Sequence, residues 1–75
     1  MKIKITLDET IKKHKITRNA VAVEGKIRPA TITELCNGKS KGISFNTLTR
    51  IIGALNTLTS EQHTINDVII VNYDE

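Results

Sequence analysis

The chain has few cysteine, proline and aromatic residues. It has one cysteine, one proline and no tryptophan, and its aromatic residues are Phe45 and Tyr73. A single cysteine excludes an internal disulfide, and one cysteine with two distant histidines does not make a metal site. The fold must therefore depend on packing, which suits a reducing cytoplasm. So few rings also argue against binding of single-stranded nucleic acid, whose bases stack on aromatic side chains.

Long apolar segments are also missing. The longest apolar run, Val68–Val71, is far too short to span a bilayer. The N-terminal stretch Met1–Ile5 becomes polar too soon for a signal peptide. A chain of 75 residues is expected to form one domain, residues 1–75, with a small core. We therefore expect a cytoplasmic protein with no membrane partner, no cofactor and no small-molecule ligand.

No catalytic set is recognisable in the sequence. The histidines, the cysteine and the acids do not occur in Ser/His/Asp, Cys/His or paired-carboxylate spacing. A core this small also leaves no evident substrate pocket. We therefore do not expect an enzyme.

What the chain does have is a strong separation of charge. Residues 1–50 contain all eleven Lys and Arg with four acids, whereas residues 51–75 contain four acids and no Lys or Arg, so their formal charges are +7 and −4. A basic portion of this kind is typical of a surface that binds a polyanion. Basic surfaces are also common in small domains, so charge alone leaves the function undecided.

Hydrophobic periodicity predicts a mainly α fold with a strand at each end. The strands are residues 2–5 and 68–73, and we expect them to pair antiparallel, because a lone strand at each end of a helical chain usually finds the other. About five short helices are predicted between them, in the segments 7–15, 18–24, 29–37, 45–55 and 64–67.

Several local signals mark the helix ends and faces. Thr6 and Glu9 have the spacing of a capping box for the first helix, and we expect His14 at the end of that helix to be solvated. Thr17 and Ser44 can cap the second and fourth helices. The fourth helix carries a core-facing stripe of Phe45, Leu48, Ile51, Ile52 and Leu55, followed by a loop that contains Leu58.

The segment 28–38 has the clearest start and end signals. Pro29 fits the first turn of a helix, and Gly38 fits the position just past its end. Ile32, Leu35 and Cys36 share one face at helical spacing, so we expect all three to be buried. The other face carries Ala30, Thr33, Glu34 and Asn37. A tight turn joins this helix to the preceding one, which predicts a helix-turn-helix with its core at residues 17–37.

The stretch Ile16–Lys39, and above all its closing string apolar-x-x-apolar-Cys-Asn-Gly-Lys, resembles the helix-turn-helix core of the Cro/CI-type (XRE-like) family. The resemblance extends from about Leu7 to Leu58. It implies a small lambda-repressor-like helical domain. It also implies a bacterial or phage transcriptional regulator, repressor-like, that binds double-stranded DNA in a sequence-specific manner.

Two positions depart from the family pattern. Lys26 stands where the family usually has Gly, so either Lys26 is left-handed or the helix ends a residue early on Gly25. Arg28 stands where a Ser or Thr cap is frequent, which leaves backbone N–H groups free for water or a phosphate. These departures concern the geometry of the turn.

The resemblance places the recognition helix, residues 29–37, in the major groove. The base contacts that it implies are Arg28, Pro29, Ala30, Thr33 and Glu34. For Arg28 a phosphate contact is equally open, and Glu34 can equally be a solvated acid that avoids phosphates. The implied phosphate contacts, at the start of the second helix and around the lysine-rich loop, are Arg18, Asn19, Thr31, Asn37, Lys39, Ser40 and Lys41.

One such domain reads few bases, so we expect a homodimer on a twofold-symmetric site, with the acidic last third as the candidate dimer surface. The alternative function is a protein-interaction module on the same fold, such as an antitoxin-like or anti-repressor protein. A protein interface would require large exposed apolar residues on the outward face of residues 28–37, and the sequence has none there.

Overall fold

A computed structural model describes residues 2–39 and 42–72. In these ranges the elements are β1 (Lys2–Ile5), α1 (Leu7–Lys13), α2 (Arg18–Gly25), α3 (Pro29–Cys36), α4 (Phe45–Thr59), a 3-10 turn (Ile65–Asp67) and β2 (Ile69–Asn72). The expected mainly α fold with two terminal strands is confirmed. Tyr73, assigned above to the second strand, lies outside the described residues, as do Ser40 and Lys41.

The two strands form an antiparallel two-stranded sheet, as predicted. Ile3 lies opposite Val71, and Ile5 lies opposite Ile69. Ile5 and Ile69 also pack against the helical core, whereas Ile3 and Val71 extend beyond it and are exposed. The sheet therefore ties the two ends of the chain to the same side of the helices.

The expected capping box at Thr6 is wrong. The Thr6 side chain makes no capping bond, and its hydroxyl instead donates to the Asn66 carbonyl oxygen at 2.8 Å. Glu9 pairs with the Lys4 ammonium at 3.2 Å. Thr6 is buried, so its hydroxyl requires a partner, and strand pairing brings a carbonyl from the other end of the chain within reach. A long-range contact thus replaces the local cap.

The core is built from all four helices and from the residue directly before β2. Its buried apolar residues are Leu7, Ile11, Val21, Ala22, Ile32, Leu35, Leu48, Ile51, Ala54, Leu55 and Val68.

Phe45 does not belong to this core: the prediction is wrong, and the ring is 87% exposed. The buried side chains of α4 begin one turn into the helix, at Leu48, because helical spacing predicts which side of the helix is buried but not the length over which neighbours cover it. Ser44 caps α4 as predicted, accepting from the Thr47 N–H at 3.1 Å. The helix also continues to Thr59 rather than ending at Leu55, and the half-buried Leu58 lies within it.

Close contact between α2 and α4 depends on Gly25. A Cβ atom at this position would lie 3.2 Å from the Arg50 carbonyl oxygen and 2.9 Å from Ile27 Cδ1. We therefore expect Gly25→Ala to lower the free energy of unfolding by about 1–2 kcal/mol, because the two helix backbones would have to separate. Urea unfolding followed by circular dichroism measures the change.

Gly53→Ala is the matched control for this prediction. Gly53 also lies inside a helix, but apart from its chain neighbours and the backbone of its own helix no atom lies within 4 Å of the Cβ that it would gain. The substitution is expected to raise the free energy of unfolding by about 0.5–1 kcal/mol through helix propensity alone. If both alanine variants were stabilised equally, the two helices would not be in close contact at Gly25.

Candidate nucleic-acid interface

The turn between α2 and α3 has an unusual conformation for its sequence. Thr17 caps α2 as predicted, accepting from the Ala20 N–H at 3.0 Å. The helix ends at Gly25, and Lys26 adopts the left-handed conformation, with φ 56° and ψ 48°. The exposed Arg50 supports the turn by donating from Nη1 to the Lys26 carbonyl oxygen at 3.3 Å. The left-handed residue of the turn is thus Lys26 and not Gly25, at a cost of about 1–2 kcal/mol.

The third helix is anchored through two side chains. Ile32 and Leu35 are fully buried in the core, as expected, whereas Cys36 is only half-buried. Arg28 precedes the helix in an extended conformation without a side-chain cap. The helix ends at Cys36, one residue before the predicted end, and Gly38 follows with a φ of 72°. Anchoring on one side leaves the other side of α3 open to solvent.

All five predicted base-contact residues lie on this open side. Arg28, Pro29, Ala30, Thr33 and Glu34 are each exposed. The set contains small, polar and charged groups and no large apolar side chain. Such a surface can approach base edges in a groove without leaving an apolar patch in water when it is free.

Two of the residues predicted to contact phosphate, Arg18 and Asn37, lie next to each other in the structure. Asn19, Asn37 and Lys39 are exposed, and Arg18 and Thr31 are half-buried. Arg18 Nη1 lies 3.5 Å from Asn37 Oδ1, so the start of α2 and the end of α3 meet at this pair. Ser40 and Lys41 lie outside the described residues.

Sequence reasoning missed the role of Asp8 at this junction. Its Oδ1 accepts from Arg18 Nη2 at 3.1 Å and from Nε at 3.3 Å, and its Oδ2 pairs with Lys12 Nζ at 3.0 Å. The hydrogen bond from Lys12, and after it that from Arg18, holds the pKa of Asp8 below its ordinary value. The spacing of Asp8 and Lys12 on one helix was a visible signal, but the pairing with Arg18 depends on how α1 meets α2.

The cysteine beside this junction is a packing residue. Burial raises the pKa of the Cys36 thiol, and the neighbouring Asp8 carboxylate raises it further, while the charge of Arg18 acts in the opposite direction. A thiol that stays protonated is a poor nucleophile. In the described part of the chain, no three His, Cys, Asp or Glu side chains are placed to hold a metal ion.

A second polar cluster joins α1 to the chain after α4. The expectation of a solvated His14 is wrong: its side chain is 15% exposed and packs edge-to-face on His63, with ring centroids 5.0 Å apart. The buried His63 lies between Asp67 Oδ2, 3.0 Å from Nδ1, and Thr59 Oγ1, 2.8 Å from Nε2. The Thr64 N–H, and after it His63, lowers the pKa of Asp67. Because His63 is bonded on both sides within the cluster, to Asp67 and to Thr59, we assign the cluster a structural role.

A comparison with protein families gives a match that fits this geometry. A family model described as a Cro/C1-type HTH DNA-binding domain matches residues 6–61, which include α1 to α4 and the whole helix-turn-helix. Searches of curated proteins and of solved structures find no match. Within residues 2–39 and 42–72, no helix has both the length and the apolar character needed to cross a membrane.

Proposed function

Since the chain belongs to the Cro/C1-type helix-turn-helix DNA-binding domain family, we propose that it is a sequence-specific regulator of transcription, of the repressor type, acting in the cytoplasm. In this proposal α3 enters the major groove of double-stranded DNA, and α2 lies against the backbone. The observation that carries the proposal is the two-sided character of α3. Ile32 and Leu35 hold it in the core, while its small and polar side chains face outward.

Each outward side chain has chemistry that suits a base edge. Arg28 can donate two hydrogen bonds to guanine O6 and N7, and Glu34 can accept from cytosine N4. Pro29, Ala30 and the Thr33 methyl group offer small apolar surfaces of the kind that contact thymine methyls. Each well-made polar pair would discriminate against the wrong base by about 1–3 kcal/mol.

The test is a binding selection from a pool of random duplex DNA, followed by a gel shift with the enriched sequence. One enriched motif, bound better than scrambled duplex at equal salt, supports a sequence-specific DNA-binding protein. Binding of all duplexes alike would contradict sequence specificity. No binding of any duplex at low salt would contradict the proposed function.

Phosphate contacts are expected to make the affinity depend on salt. If roughly four to six phosphates are neutralised per subunit, log K against log[salt] has a slope of about −4 to −5. Lys39→Ala and Lys41→Ala are each expected to make this slope shallower by about 0.9, with little change in sequence preference.

Lys13→Ala is the control for the two loop lysines. It removes the same charge from α1, at a site where the charge of Lys13 lowers the pKa of Asp67 in the 3-10 turn. Its slope should equal that of the wild type. If neither loop variant changed the slope, the loop would not touch the DNA backbone.

We propose a homodimer as the DNA-binding form, with half-sites about one helical turn, roughly 34 Å, apart. The acidic last third of the chain is the proposed dimer surface, since it is the part least suited to face a polyanion. Exposed apolar side chains at Ile65 and Val71 in this part support that choice. Sedimentation that showed only monomer at high micromolar concentration would contradict it.

The alternative is a protein-interaction module, such as an antitoxin-like or anti-repressor protein. The exposed Phe45 and Val23 favour it, because they are large apolar side chains without cover. They lie on α4 and α2, however, and the outward side of α3 has no such residue. We therefore favour DNA, and Phe45→Ser should leave duplex affinity within about threefold of the wild type if the ring is outside the DNA interface.

A further inference from the structure

Asp8 places a negative charge directly against a residue proposed to grip DNA phosphate. By charge alone it should weaken the binding of a polyanion. Both carboxylate oxygens of Asp8 nevertheless have partners at this junction: Oδ1 accepts from Arg18, and Oδ2 pairs with Lys12. With two cations around one acid, the cluster keeps a net charge of +1.

The contacts to Asp8 hold the Arg18 guanidinium in one orientation. Nε and Nη2 both donate to Asp8 Oδ1, which aims the remaining terminal nitrogen, Nη1, at Asn37. A free arginine side chain has about 2 kcal/mol of rotamer entropy to lose when it binds a ligand. An arginine that is already held loses less of it on binding, so its contact is stronger.

The same arrangement orients the amide of Asn37. Arg18 can only donate, so the Asn37 atom that faces Nη1 at 3.5 Å is the carbonyl oxygen, Oδ1. Its Nδ2 group, with two N–H donors, therefore points away from Arg18. The N–H groups of Arg18 that are not used in these bonds and the Nδ2 group of Asn37 thus lie close together, where α2 begins and α3 ends.

We propose that Asp8 is a positioning residue for DNA binding, which sets Arg18, and through it Asn37, as a two-residue site for one backbone phosphate. The inference rests on the proposed function. It assigns to an acid on α1 a favourable effect on the affinity for DNA, opposite in sign to the effect of its charge.

The test compares Asp8→Ala with Glu9→Ala, using salt titrations on a random-sequence duplex and on the selected one. Both variants remove one acid from the first turn of α1, but Glu9 pairs only with Lys4 among the ion pairs of the described residues. Glu9→Ala should bind as tightly as the wild type or tighter, with the same slope. Asp8→Ala should bind about fivefold more weakly, with a slope shallower by about 0.9, because one phosphate contact is lost.

Arg18→Gln and the double variant Asp8→Ala/Arg18→Gln separate positioning from a general structural role. If Asp8 acts through Arg18, the double variant should bind no more weakly than Arg18→Gln. Urea unfolding shows whether each variant is folded under the binding conditions, and Asp8→Asn replaces Asp8→Ala if the latter is not. Tighter binding and a steeper slope for the Asp8 variant would overturn the inference, whereas a wild type that bound no duplex would overturn the proposed function instead.

Discussion

Thr33→Glu is expected to weaken binding of the selected duplex by roughly 100-fold, about 2.7 kcal/mol, while the protein stays folded. Thr33 is exposed on the side of α3 opposite Ile32 and Leu35. In the proposed complex a carboxylate at this position would meet base acceptors and the phosphates at the groove edges, and the thymine contact of the threonine methyl group would be lost. Fluorescence anisotropy with the labelled duplex measures the affinity.

Thr49→Glu is the matched control, because Thr49 is an exposed threonine on α4 outside the proposed dimer surface and the change in charge is the same. Its affinity should remain within about threefold of the wild type at moderate salt, where charges beyond a Debye length are screened. Equal losses in the two variants would indicate a purely long-range charge effect. Unchanged binding by Thr33→Glu would show that α3 is not in the groove.

Ile32→Ala is expected to have the largest effect on stability. Ile32 has no exposed surface and anchors α3 in a core shared by all four helices. Truncating a buried isoleucine to alanine costs about 2–5 kcal/mol, and small domains have only about 5–15 kcal/mol in total. We therefore expect a variant that is partly unfolded at 37 °C, as thermal unfolding by circular dichroism would show.

Ile3→Ala makes the same truncation at a residue that is 70% exposed. Ile3 lies opposite Val71 in the two-stranded sheet, where a cross-strand pair contributes little, so the expected loss is below about 1 kcal/mol. Similar losses for the two variants would contradict the placement of Ile32 in the core. The comparison also separates loss of folding from loss of DNA contacts, since neither residue is proposed to touch DNA.

Local signals were enough to predict the helix-turn-helix. Pro29 and Gly38 mark the start and the end of α3 within a residue, because one has a fixed φ and the other takes a positive φ. The apolar spacing of Ile32 and Leu35 then predicted which side of α3 is buried. It follows that the five predicted base contacts are exposed, although contact with DNA remains a prediction.

Local signals failed where the surroundings of a side chain depend on residues that are distant in sequence. Thr6 has the sequence of a cap, but strand pairing offers its hydroxyl the Asn66 carbonyl group instead. Phe45 has the spacing of a core residue, but spacing gives only the side of a helix and not how far along it the core extends. His14 packs on His63, which is distant in sequence, and no local pattern indicated that contact.

The order of elements, the buried side of α3 and the separation of charge follow from short-range patterns, since periodicity, helix-end residues and composition need no knowledge of the fold. The orientation of the Arg18 side chain does not follow from such patterns. Whether it is free or held by Asp8 and turned toward Asn37 depends on the packing of α1 against α2 and α3. Side-chain partners of this kind are set by which helices meet, and that information is spread over the whole core.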